Sequence, residues 1–145
     1  MATSTYLTNP TVNLAPTTAG TLVDLTDQCR SATITLGVDS LESTAFGDTG
    51  HRFVPGLQTV SVELEMYLAY GATEVEATLF ANLGTGTTEL TISPSGVTES
   101  ASNPEYVISN MQLVDFTPIT GSVAELSMVT ASFIGGTYVR DITAP

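Results

Sequence analysis

Residues 58–68 read Gln-Thr-Val-Ser-Val-Glu-Leu-Glu-Met-Tyr-Leu. Val60, Val62, Leu64, Met66 and Leu68 fall on one side of an extended chain, and Thr59, Ser61, Glu63, Glu65 and Tyr67 on the other. A period of two is the pattern of a strand whose sheet buries one face and wets the other. The wet face carries two glutamates and no base. The same alternation precedes it: Ala32, Ile34, Leu36 and Val38 alternate with Ser31, Thr33 and Thr35. Two such strands in succession decide for a β architecture.

Upstream, Leu22–Leu25 reads as a short strand closed by a Thr26-Asp27 turn. Residues 1–20 hold no period and contain Pro10 and Pro16, so they read as an extended arm. The spaced Tyr6, Leu7, Val12 and Leu14 suggest that the arm docks. Residues 21–145 then make a single domain, a size that buries one core. Between the two alternating strands, residues 39–57 (DSLESTAFGDTGHRFVPGL) read as one long irregular loop. Its apolar residues argue for a docking role.

Downstream, residues 73–83 predict the one helix. Thr73 and Glu76 have capping-box spacing, and Val75, Leu79 and Leu83 share a face aimed at the core. Gly84 supplies the position after the helix end. Strands are expected over 89–93, 105–117, 123–134 and 137–142, with Asn103-Pro104 opening the second and Gly135-Gly136 as a hairpin turn between the last two.

The charge balance limits the function. Fifteen acids face three bases, all arginine, for a net charge of −12. Such a chain lacks the cations that neutralise phosphates or anionic lipid. No apolar run is long enough to span a membrane, and residues 1–5 lack the basic and apolar regions of a secretory signal. Only 12% of residues are charged while 42% are hydrophobic, so the chain folds rather than staying disordered. Twenty-five threonines and thirteen serines supply hydroxyls where charges would usually sit, which suits strands and burial against neighbouring subunits.

Catalytic chemistry finds little footing. His51 is the single histidine, with Asp48, Ser43, Thr44 and Thr49 near it in one glycine-rich loop. Nothing there fixes a triad, and there is no Gly-x-Ser-x-Gly elbow. Asp39, Glu42 and Asp48 do not have the spacing of a calcium loop. Cys29 is alone and reads as a packing residue. No phosphate loop, dinucleotide fingerprint or zinc motif occurs, so no enzyme, cofactor or metal is expected.

The order of these segments is informative: LVDLTD, an alternating strand, ESTAFGDTGHRFVPGL, QTVSVELEMYL, the helix TEVEATLFANLG, a turn-rich stretch with NPEY, then VAELSMVTASFIGG and TYVRDI. Over roughly residues 21–142 this resembles the tail tube, or major tail, proteins of long-tailed bacteriophages. The resemblance implies a β-sandwich or barrel-like subunit with one flanking helix, self-assembling into rings of six. Their inner sheets would join, and the rings would stack into a tube that delivers DNA without holding it. It places the protein in the virion tail, assembled in the host cytoplasm, beside other tail or capsid proteins. Ser31, Thr33, Thr35, Thr59, Ser61, Glu63 and Glu65 become lumen-facing candidates. Phe46, Asp48, His51, Arg52, Phe53 and Pro55 become inter-subunit loop candidates. A capsid decoration protein or tail-end adaptor of related fold is the alternative, and a small carbohydrate-binding β-domain is a weaker one, given dispersed tyrosines and no tryptophan.

Overall fold

The computed structural model describes residues 10–17 and 20–144. Eight strands and one helix follow in the order β1 (Thr11–Ala15), β2 (Val23–Asp24), β3 (Cys29–Glu42), β4 (Phe53–Tyr67), α1 (Val75–Asn82), β5 (Thr88–Ser93), β6 (Glu105–Asp115), β7 (Met128–Ile134) and β8 (Thr137–Asp141). All pairings between these strands are antiparallel, and the strands line up as β2-β1-β5-β6-β7-β4-β3 with β8 also beside β6. The fold is mainly β with one flanking helix, as the alternation predicts.

Strand β6 belongs to both halves of this sheet. Its residues 105–109 pair with β8 and 106–111 with β5, whereas 112–115 pair with β7. The change of partner falls at Asn110, whose φ is 59°, opposite Gly135 and Gly136 with φ of 82° and 87°. A side chain at Gly136 would place its Cβ 2.1 Å from the Ser109 carbonyl oxygen, so the close approach requires glycine. The two glycines therefore do not turn β8 back onto β7. They kink the chain so that β7 and β8 lie end to end along β6, a correction to the expected hairpin.

The two halves enclose one core. Val12, Leu14, Leu90, Ile92 and Ile108 come from one side, and Val60, Val62, Leu64, Met66, Leu113, Val129, Ala131 and Phe133 from the other. The alternating residues of β4 are thus inward as read. Val75 and Leu79 of α1 complete the core.

Leu83 does not. The helix ends at Asn82, and Leu83 turns to extended geometry, bridges beside Leu113 and stays 44% exposed. Thr78 and Asn82 are the other buried helix residues, and Asn82 accepts from Thr88 at 3.0 Å. The capping box does not form either. Glu74, not Thr73, is the N-cap and its side chain makes no cap bond, while the Glu76 amide that Thr73 would have served donates to the Ala69 carbonyl at 3.1 Å. Gly84 takes the left-handed conformation as expected, with φ of 75°.

Three more boundaries move. Residues 11–15, read as arm, form β1 between β2 and β5, with Val12 and Leu14 fully buried; the expectation for residues 1–9 falls outside the described residues. Residues 39–42 and 53–57, read as loop, extend β3 and β4 into a long hairpin. Residues 123–127, read as strand, form a turn ahead of β7.

Candidate assembly surfaces

The first surface is the outer face of β3 and β4. Cross-strand register sets Ser31 opposite Glu65, Thr33 opposite Glu63, Thr35 opposite Ser61 and Gly37 opposite Thr59. Directly opposed residues point to the same side of a sheet. All seven candidates named from the sequence for a lumen therefore share one face, and all are solvent-accessible. Strand β7 extends it, with Thr130 opposite Glu65 and Ser132 opposite Glu63, and Asp115 of β6 pairs with Ser132. Hydroxyls and carboxylates dominate the surface. At its margin, Arg30 lies 3.6 Å from Glu65 in an exposed pair. Such pairs contribute little to stability.

Among the described residues β3, fourteen residues long, pairs only with β4 and forms the edge of the same half. A long edge with unpaired amides and carbonyls is a template for another strand.

The second surface is the distal part of the β3–β4 hairpin. Beyond a register shift between Val38 and Ser40, Leu41 pairs with Val54 and Glu42 with Phe53. Here neither face meets the core, and Leu41, Phe53, Val54 and Leu57 are all exposed, Leu57 at 79%. Phe46 at the tip is fully exposed, at 111%. Leu41 and Val54 share one face and Phe53 lies on the other, so the hairpin exposes apolar side chains on both sides, a candidate for burial by a neighbour.

The connecting loop is held by its own polar groups. The Ser43 amide donates to the Arg52 carbonyl at 2.8 Å, and the Arg52 amide to Thr44 Oγ1 at 3.0 Å. Asp48 accepts from the Ala45 amide at 2.7 Å and lies 3.7 Å from Arg52. His51 Nδ1 is 2.8 Å from Glu42 Oε1, and Thr44 donates to the same oxygen at 2.9 Å. The bonds from His51 and then Thr44 hold the Glu42 carboxyl below its usual pKa.

His51 is thus engaged by Glu42 and Asp48 by Arg52, so the two are not arranged as base and orienter. Of the six loop candidates, Phe46, Asp48, His51 and Arg52 lie in the loop or at its margin. Phe53 and Pro55 are strand residues of β4. Among the described residues, no three histidine, cysteine or acidic side chains are placed to hold a metal ion. Cys29 is half-buried, and burial pushes its thiol pKa up, away from the thiolate a nucleophile needs.

The sequence reading missed one surface. Ile119, Val123 and Leu126, between β6 and β7, are almost wholly exposed, Val123 at 98%. The segment is tied down by Tyr70, which donates to the Pro118 carbonyl at 2.8 Å, and by the Leu68 amide on the Ser127 carbonyl. Pro118 and Gly121 were the available turn signals.

A bent antiparallel sheet sharing one strand, with a short helix against it and a long hairpin projecting from it, is the tail-tube fold. Among solved structures the chain is similar to the SPP1 tail tube, with a TM-score of 0.68 at 10% identity over 94% of this chain and 78% of that one. It is similar to the sheath/tube terminator of PVC, an extracellular contractile injection system, with a TM-score of 0.66 at 13% identity over 97% and 98% of the two chains. The tube-terminating cap of the anti-feeding prophage gives 0.64 at 14% identity, covering 99% and 95%. No family model and no curated protein matches the sequence.

Proposed function

We propose that the chain is a structural subunit of a phage-like tail tube, and not an enzyme. The observation carrying this reading is the single face on which Ser31, Thr33, Thr35, Thr59, Ser61, Glu63 and Glu65 stand in register beside a fourteen-residue edge that has no second partner among the described residues. Copies joined along that edge form a closed ring, which removes the exposed edge. Rings of six are the number the resemblance implies.

The polar face then lines the bore. An acidic, hydroxyl-rich wall offers DNA phosphates no cations, so duplex passes without being retained. The apolar hairpin reaches a neighbouring ring, where Phe46, Phe53 and Leu57 become buried. The subunit works in the virion tail, in contact with other tail proteins.

A position at the end of the tube is the second reading. The likeness to a terminator and to a cap, at scores close to that of the tube protein, favours it.

Electron microscopy of the purified protein in negative stain separates the readings. Hollow polymers of uniform bore and variable length are expected of a tube subunit. Single rings that add only to preformed tubes identify the end position. A chain that stays monomeric at high concentration, or that coats capsids, refutes both.

A further inference from the structure

The two ends of β4 carry different apolar surfaces. At its start is the hairpin with Phe46, Phe53 and Leu57 exposed. At its end is the segment that exposes Ile119, Val123 and Leu126. That segment is fastened there because Met128 pairs with Tyr67, the Leu68 amide donates to the Ser127 carbonyl at 2.9 Å and the Tyr70 hydroxyl to the Pro118 carbonyl at 2.8 Å. The fifteen residues of β4 span up to about 50 Å, so the hairpin tip and the segment do not meet within one chain. Resting on the tube reading, we propose that residues 118–127 of one copy are the dock for the apolar hairpin of a second copy.

Each copy carries both surfaces, so every dock has a hairpin available and the contact repeats head to tail, as a heterologous interface does. Charge favours the same pairing. Glu125 is the one charged residue within 116–127. At the same end, Asp24, Asp27 and Glu74 line a cavity with Gln28, whose carbonyl accepts the Tyr67 amide at 2.8 Å. The base there, Arg30, already lies beside Glu65. Two such ends facing each other would oppose like charges. The hairpin instead brings His51 and Arg52, with side chains 77% and 70% exposed, while its carboxylates Glu42 and Asp48 are engaged by those same two residues. The dock is also held in a costly shape. Ala124 has a φ of 67°, a left-handed conformation that is unfavourable for a residue with a Cβ, and such strain gathers at sites of interaction. Its neighbours Val123 and Leu126 stand in solvent.

Engineered cysteines read the contact directly. In a Cys29→Ser chain, which removes the native thiol, Ala45→Cys marks the hairpin beside Phe46 and Ser122→Cys marks the dock beside Val123. Both positions are exposed and both changes keep the apolar side chains in place. The two chains, made distinguishable by mass, are mixed before assembly and oxidised at high concentration. The expected product is a disulfide-linked pair containing one of each, with neither chain linking alone. Linked pairs of two Ala45→Cys chains, or of two Ser122→Cys chains, mean that like surfaces meet and overturn the inference. Hollow polymers in negative stain without the mixed link overturn it too, and leave the tube reading standing. Wild-type protein that never polymerises, together with no mixed link, removes both.

Discussion

Phe46→Ala separates assembly from folding more cleanly than any other single change. The side chain is fully exposed, and the bonds that shape its loop run between Ser43, Thr44, Ala45, Asp48 and Arg52 without it. Truncating it should therefore change the stability of the free subunit by less than about 0.5 kcal/mol. In the proposed stacked tube the phenyl ring of Phe46 would be buried. Burying a phenylalanine side chain contributes about 1.5–3 kcal/mol, so losing most of it costs about 2 kcal/mol at each contact. That is roughly a thirtyfold weaker association constant. Sedimentation velocity over a concentration series reads the critical concentration for polymer formation, and thermal melting by circular dichroism reads the subunit. The expected result is a critical concentration raised by about that factor at an unchanged melting temperature. A variant that polymerises at the wild-type concentration, or one that melts several degrees lower, refutes the placement of the hairpin at an interface.

Three further outcomes follow from the geometry. Glu63→Lys with Glu65→Lys should leave folding and assembly intact, because both side chains are outward and the Arg30–Glu65 pair contributes only about 0–1 kcal/mol. The resulting tubes should retard duplex DNA in a salt-dependent way that wild-type tubes do not, read by gel shift across a salt series. Burial, a hydrogen bond to Glu99 and the nearby Glu99 and Asp141 carboxylates push the Glu105 pKa up to about 7 from 4.5. The folded state then binds its proton more tightly than the unfolded state. This contribution to stability is present below pH 4.5 and is lost as pH rises through about 7. Glu105→Gln should remove that slope in urea melts and stabilise the protein at pH 8 by on the order of 1 kcal/mol after solvent screening. Asn103→Ala should lower stability by about 1–3 kcal/mol in the same assay. The buried amide donates to the Val97 carbonyl at 2.6 Å and accepts from Ser95 at 3.0 Å, organising the turn before β6.

The strands legible in the sequence are those with one buried face. In β4, Val60 to Met66 alternate because the core takes every second side chain, and the seven candidate lumen residues follow from the same parity. Past Val38 the hairpin leaves the core, so nothing selects apolar residues for one side. Ser40, Pro55 and Gly56 there resemble loop signals, although Ser40 pairs with Pro55 and Gly56 lies within β4. β1 was obscured by Pro10 and Pro16, which bracket a strand only five residues long. The Gly135-Gly136 pair does mark positive φ, as its composition says, but whether two such residues make a turn or a kink depends on β6 being opposite them. Leu83 fits the helix face by spacing, but a period cannot see that the helix stops at Asn82.

The double membership of β6 also bears on synthesis. The hairpin of β3 and β4 leaves the ribosome early, yet the inner edge of β4 is covered only by β7. Sixty residues separate Tyr67 from Met128, an interval of about 3–12 s at ordinary elongation rates. The half containing β1 and β5 likewise lacks a pairing until β8 docks on β6. A nascent chain therefore has no complete polar face until β7 pairs with β4 and β6. For the proposed tube, the order of the strands would hold that face back from other copies until β7 is in place.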